Sequence, residues 1–220
     1  MKRSIFTVII ATALSSLLLT SLPANADIAK AYQVELIVFS HMSTKSLDTE
    51  QWPLSTGDAN QYLKGIRLAP VTSNLRYYRL LAPQDFTLAK QQARLNKYIS
   101  TYHTIMHIAW RQQVFEPRYA RTVHILGGET YNNAGTTTSQ VHGTIRVSVE
   151  RYLNVNLNLT FAAPASAISK LARNDYFNNM SNNLVYFNLR QTRRMRSDEL
   201  NYIDFPLYGV LIKITPIQQT

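Results

Sequence analysis

The 220-residue chain contains no cysteine. That excludes a disulfide framework, a thiolate metal site, a cysteine nucleophile and a lipid-modified N-terminal cysteine. Glycine is scarce, at seven residues, and the sequence has no glycine-rich phosphate loop, no Gly-x-Ser-x-Gly elbow and no His-Glu-x-x-His helix. Acidic residues are also few, 13 against 23 basic ones, for a net charge of +10. A glycan hydrolase needs two carboxyl groups flanking the scissile bond. The loop acids Glu129, Glu150 and Asp175 are the only loose set of that kind, so the inventory argues against an enzyme. No cofactor-binding motif is present. Beyond the first residues no segment is long and apolar enough to span a bilayer, and there is no internal repeat or low-complexity linker.

The first residues do carry a pattern. Lys2 and Arg3 precede an uncharged apolar run from Ile5 to Leu22, then Pro23 and Ala24-Asn25-Ala26, a small-x-small cleavage site before Asp27. Residues 1–26 are expected to be a cleaved secretory signal, with retention as a membrane anchor the alternative. Residues 27–220 then form the mature protein, as one unit or as two sub-domains, about 27–130 and 131–220. An exported chain without disulfides relies on its core, which is ample at this length, and points to a bacterial periplasm. Removing Lys2 and Arg3 leaves 21 basic against 13 acidic residues, a net +8, so the expected partner is anionic. Export removes nucleic acid from consideration. Lipopolysaccharide, anionic lipid head groups and the carboxylate-bearing peptides of the cell wall remain.

Strict alternation over Gln140–Phe161 is the strongest structural signal. Odd positions, from Val141 through Ile145, Val147, Leu153, Val155, Leu157 and Leu159 to Phe161, are apolar apart from Gly143 and the turn residue Arg151. Even positions hold His142, Thr144, Arg146, Ser148, Asn154, Asn156, Asn158 and Thr160. Period two predicts two strands. A hairpin closing over Glu150, Arg151 and Tyr152 pairs Ser148 with Asn154, Arg146 with Asn156, Thr144 with Asn158 and His142 with Thr160. A slip of one residue would drive the asparagines into the core, so the pattern fixes the register.

Further strands are expected at Tyr32–Phe39, in a sheet centre, and at Asn74–Leu81, Tyr102–Arg111, Arg121–Leu126, Leu184–Arg196 and Phe205–Ile214. Pro83 and Asp85 open a helix over Phe86–Ile99 with Leu88, Leu95 and Ile99 on one face. In Tyr102–Arg111, alternation puts Tyr102, Met106, Ile108 and Trp110 on one side and His103, Ile105, His107 and Arg111 on the other. Short helices are expected at Ala59–Leu63 and Ala167–Ala172, and loops over Glu129–Ser139 and Asn178–Asn183. The fold class is α+β: a mainly antiparallel sheet, apolar on one side, with one or two helices packed there and the other face in water.

The wet face is the first candidate site. Thr144, Asn154, Asn156 and Asn158 offer donors and acceptors suited to sugar hydroxyls and N-acetyl groups, and Arg146 can hold a carboxylate in a bidentate fork. A merely solvated face is the plain alternative, although asparagine is depleted in strands. Arg190, Arg194 and Arg196 share a side of the following strand and form the second candidate, while Arg193 points with Val185, Phe187, Leu189 and Met195. Asp198, Glu199 and Asp204 could instead neutralise that cluster within the fold. His103 and His107, four residues apart on an extended strand, are roughly 13 Å from each other, too far to share a metal ion. Trp110 shares a side with Met106 and Ile108 and is expected in the core.

Several pieces of this sequence resemble the CsiV family of periplasmic peptidoglycan-binding proteins. They are Val34-Glu-Leu-Ile-Val-Phe39, His103-Thr-Ile-Met-His-Ile-Ala-Trp-Arg-Gln112, the Gly127-Gly128 pair, the Gly143-to-Leu159 hairpin with Arg151-Tyr152-Leu153, and Gln191-Thr-Arg-Arg-Met-Arg-Ser-Asp-Glu-Leu200 followed by Phe205-Pro-Leu-Tyr-Gly-Val210. The resemblance runs from about Tyr32 to Pro216. Gln113 and Val149-Glu150 depart from the pattern, at loop positions. The resemblance implies a non-catalytic envelope protein, not integral to the membrane. It would bind peptidoglycan and support a bifunctional penicillin-binding synthase, directly or through its lipoprotein activator. Two other readings stay open at this point: a periplasmic protein–protein adaptor that does not touch glycan, and an outer-membrane barrel, which also uses alternating strands of about ten residues.

Overall fold

The computed structural model describes residues 30–41, 64–68, 78–133, 135–171, 177 and 183–217. The signal segment, Trp52, Ala59–Leu63, Asp175 and most of Asn178–Asn183 lie outside them. The described residues form two five-stranded sheets. The first runs β3 (Tyr78–Leu80), β4 (Tyr102–Val114), β1 (Lys30–His41), β10 (Tyr208–Pro216), β9 (Leu200–Phe205), with every neighbouring pair antiparallel. The second runs β2 (Ile66–Arg67), β5 (Thr122–Asn133), β6 (Thr136–Val149), β7 (Leu153–Pro164), β8 (Leu184–Met195), antiparallel except for the parallel β2–β5 pair. Among the described residues, helix is confined to α1 (Ala89–Lys97), the short α2 (Ala165–Ser169) and single turns of 3-10 helix. The architecture is mostly β, with two sheets where the sequence suggested one.

The sheets share one core because each turns an apolar face inward. Val34, Leu36 and Val38 of β1 and Val210, Ile212 and Ile214 of β10 merge with Ile145, Val147, Val155, Leu157 and Leu159 of β6 and β7, all at most 2% exposed. Phe161 of β7 stacks on Tyr208 of β10 with ring centroids 5.3 Å apart, joining the layers. At roughly 2 kcal/mol per fully buried aliphatic side chain, this core is the largest favourable term in the fold. Trp110 is fully buried there and its Nε1 donates to Gln112 Oε1 at 2.7 Å.

Strand β1 is apolar on its other face as well. Ile37 and Phe39 pack with Leu88, Leu95 and Leu211 beneath α1. On that face stands Glu35, 1% exposed. Its Oε2 accepts from the Thr87 amide at 2.8 Å and the Thr87 hydroxyl at 2.7 Å, and its Oε1 accepts from the Leu88 amide at 2.8 Å. His107 Nε2 lies 2.7 Å from the same Oε1, and its Nδ1 is 2.9 Å from Gln92 Oε1 on α1. Leu88, the N-cap of α1, has no side chain to offer the helix. The carboxylate of a central strand therefore caps α1 from below and sits at the positive end of its dipole. Burial pushes the Glu35 pKa up, but the hydrogen bonds from His107, Thr87 and Leu88 outweigh it and bring the value down to about 2.

Several expectations are corrected, each for a local reason. The helix starts at Ala89 rather than Phe86, since Phe86 closes the 3-10 turn with extended backbone, φ -76 and ψ 130, and it stops at Lys97, leaving Ile99 68% exposed instead of beside Leu88. In β4 a bulge at Ile105 shifts the pairing from Val38↔Met106 to Phe39↔Thr104. Tyr102 thus joins Phe39 on the outer face, ring centroids 5.7 Å apart, and His103 and His107 end on opposite faces. Gly127-Gly128 does not stop β5: it forms a bulge, with Gly128 at φ +77, and the chain continues as a ribbon through what was expected to be a loop at Glu129–Ser139. The final unit holds two strands, β9 and β10, rather than one from Phe205, and α2 begins two residues earlier than Ala167.

The central hairpin pairs as its alternation requires: His142↔Thr160, Thr144↔Asn158, Arg146↔Asn156 and Ser148↔Asn154. Its loop closes without glycine, the Glu150 amide donating to the Tyr152 carbonyl at 3.2 Å. Gly143, at φ +143, lets β6 approach β7 closely, since a Cβ there would lie 2.1 Å from the Asn158 carbonyl oxygen.

Gly143→Ala should therefore cost about 3 kcal/mol, combining left-handed strain with overpacking, and chemical denaturation measures it. Glu35→Ala should cost about 3 kcal/mol as well, by stripping the cap from α1 and leaving His107 Nε2 without its carboxylate partner. Because the Glu35 pKa falls on folding from 4.5 to about 2, its contribution is complete above pH 4.5 and disappears as pH falls toward 2. Urea midpoints measured from pH 2 to pH 6 should rise less steeply in Glu35→Gln than in the parent protein.

Candidate functional site

The outward face of the second sheet collects polar side chains in rows that cross the strands. One row runs Arg67, His124, Thr144, Asn158, Arg190 across all five strands. The next runs Thr122, Arg146, Asn156, Thr192, and a third runs Ser148, Asn154, Arg194. Beyond the first lies Leu126, His142, Thr160, Asn188. These rows contain four arginines and no carboxylate. Four inter-strand steps of about 4.8 Å place the Arg67 and Arg190 backbones roughly 19 Å apart.

Access is graded across the face. Thr144, Ser148 and Thr160 are buried at 6%, 2% and 0% exposure, Arg146 and the three asparagines are half-buried, and Arg190, Thr192 and Arg194 are exposed. The accessible part of the face is therefore on β7 and β8, with Thr144 buried beneath it. Thr160 Oγ1 donates to Asn188 Oδ1 at 2.6 Å, closing the buried end.

Arg146 is held rather than mobile. In the amide orientation that satisfies both neighbours, Asn156 Oδ1 accepts from Arg146 Nε at 3.1 Å and Nη2 at 2.7 Å, while Asn156 Nδ2 donates to Thr192 Oγ1 at 2.9 Å. The guanidinium is oriented by a neutral partner, so its full charge remains to attract an anion. Asn158 Oδ1, in the adjacent row, is shielded from solvent and accepts no hydrogen bond. At the hairpin end, the Tyr152 ring lies between two guanidinium groups, Arg194 at 4.3 Å and Arg151 at 5.6 Å from its centroid.

Internal neutralisation of the arginines is not what the structure shows. Asp198 pairs with Lys213 at 3.7 Å and Asp204 with His41 at 3.3 Å, and no described carboxylate reaches Arg146, Arg190, Arg194 or Arg196. Arg196 follows the end of β8, exposed and outside the rows. Arg193 lies opposite Val155 on the inward side of the edge strand β8, half-buried. The positive field is felt by His124: burial lowers its pKa first, and the nearby charges of Arg67 and His142 lower it further.

Sequence reasoning missed His124, Arg67, Arg151 and Tyr152. Thr122 and His124 alternate with Val123 and Ile125, so His124 was findable by parity. Arg67 was not, because a two-residue parallel strand leaves no periodicity. Two of the acids weighed for hydrolysis lie far apart. The Glu129 amide donates to Gln140 Oε1, whereas Glu150 follows β6 ten residues later, roughly 30 Å along a strand. Flanking carboxyl groups need separations below about 10 Å.

A family profile described as peptidoglycan-binding protein, CsiV, matches residues 9–217. No curated protein and no solved structure matches the chain.

Proposed function

The chain belongs to the CsiV family of peptidoglycan-binding proteins, and on that premise we propose that the outward face of its second sheet is where the wall polymer is held. The observation that carries this reading is the set of four arginines in rows free of any carboxylate, one of them fixed by Asn156. Peptidoglycan presents stem-peptide carboxylates beside acetamido and hydroxyl groups. Arg146, Arg190 and Arg194 match the first, and the side-chain amides of Asn154, Asn156 and Asn158 match the others. Binding of this kind rests on many moderate contacts rather than on a deep pocket, which suits an extended, repeating ligand.

The protein acts in the periplasm, reached through a cleaved signal at residues 1–26, and performs no chemistry on the polymer. By holding the wall it supports a bifunctional penicillin-binding synthase, directly or through the synthase's lipoprotein activator. The family description and the wide separation of Glu129 from Glu150 support the non-catalytic part of this reading.

Co-sedimentation with protein-free sacculi tests it. The protein should pellet with sacculi, and binding should fall several-fold between about 50 and 300 mM salt as charge attraction is screened. Arg146→Ala together with Arg190→Ala should weaken pelleting about tenfold without changing the thermal midpoint by more than a few degrees. Asn156→Asp, which sets a carboxylate against Arg146, should weaken it comparably while preserving the fold. A protein that stays in the supernatant would instead be an adaptor, and binding indifferent to all three substitutions would move the site off this face.

A further inference from the structure

We propose that α1 and the turn after it form a docking surface for the anionic face of a lipid bilayer, on the side of the molecule opposite the arginine rows. Lys90, Arg94 and Lys97 stand at i, i+4 and i+7, a single stripe along the helix, and all three are exposed. The opposite stripe, Leu88 and Leu95 with Gln92, faces the first sheet. No acidic residue occurs in α1. Arg79 of β3 and Arg111 of β4, paired in register and exposed, extend the same positive side, and none of these five cations pairs with a described carboxylate. Of the described acids nearby, Glu35 is buried beneath the start of α1 on Thr87, Leu88 and His107, Asp85 lies in the 3-10 turn, and Asp204 is occupied by the Tyr202 hydroxyl and His41.

Charge alone would fit any polyanion, and the apolar side chains narrow the choice. Residues 98–101, between α1 and β4, are all exposed, with Tyr98 at 58% and Ile99 at 68%. Ile99 follows the basic stripe by two residues and, among the described residues, is not part of the Leu88 cluster. Beside it a groove of about 370 Å³ runs between α1 and β9, walled by Phe39, Leu95, Tyr98, Tyr102, Tyr202 and Leu211. An isoleucine and a tyrosine at an exposed turn, flanked by cations on long apolar stems, match a bilayer interface. There the apolar tip enters the acyl boundary while lysine and arginine meet head-group phosphates. A folded protein partner would need a matching recess for that tip, whereas a bilayer needs none.

The surface is separate from the one assigned to peptidoglycan, and the two can fail independently. The experiment is co-sedimentation of the purified exported protein with vesicles of phosphatidylglycerol and phosphatidylethanolamine, against vesicles of phosphatidylcholine alone. Binding should favour the anionic vesicles at least tenfold and weaken with salt. Exchanging Lys90, Arg94 and Lys97 for glutamate should abolish that preference, and Ile99→Ser should lower anionic binding about fivefold. Both variants should still pellet with sacculi, and the Arg146→Ala, Arg190→Ala protein should still bind vesicles. Equal binding to both vesicle types, or none to the anionic ones, would overturn the proposal. So would an Ile99→Ser protein that binds as the parent does, which would leave a soluble or protein polyanion as the occupant of the basic stripe.

Discussion

The structure depends on the single register in which β6 meets β7. With side chains alternating every residue, that one alignment decides which groups enter the shared core and which form the wet face. It puts Ile145 beside Leu157 and Val147 beside Val155 on the inside, and by the same act Arg146 beside Asn156 on the outside. Core and candidate site are therefore two sides of one pairing. Gly143 keeps the backbones close where the buried end of the face begins, next to Thr144 and Asn158.

Among the described residues no carboxylate reaches the outward arginines of the second sheet, and several of the few acids are held elsewhere. Glu35 is consumed by α1 and His107, Asp198 by Lys213, Asp204 by His41, and Glu116 lies beside Arg118 at 3.5 Å. None of these four acids stands beside Arg146 or Arg190. Asparagine takes their position instead: it orients the guanidinium through hydrogen bonds without cancelling its charge. The family is described as peptidoglycan-binding, and the proposed site would meet a ligand whose anionic groups recur along a polymer.

Legibility in the sequence followed periodicity. The hairpin, its register and the sharing of one face by Arg146, the three asparagines, Arg190 and Arg194 could all be read from alternation, because period two is unambiguous over long runs. What could not be read were the places where alternation breaks. The bulge at Ile105 reversed the faces of Tyr102 and His103, and the Gly127-Gly128 bulge resembled a stop signal. The start of α1 was hidden for a different reason, since its cap is a glutamate more than fifty residues away in sequence. The division into two sheets was likewise invisible, because Asp198, at φ 63, turns the chain from one layer into the other within a stretch that reads as an ordinary loop.

The position of β1 has a consequence for how the molecule assembles. The earliest described strand is the middle of its sheet, and it is flanked by β10, the last. A chain delivered N-terminus first cannot finish that sheet until Tyr208–Pro216 arrives, so the buried strand β1 waits for a partner more than 160 residues further along. Closing so long a loop is entropically costly and slow. An incomplete chain has no stable first layer to lock it shut, and the last strand to emerge commits the molecule to its final form.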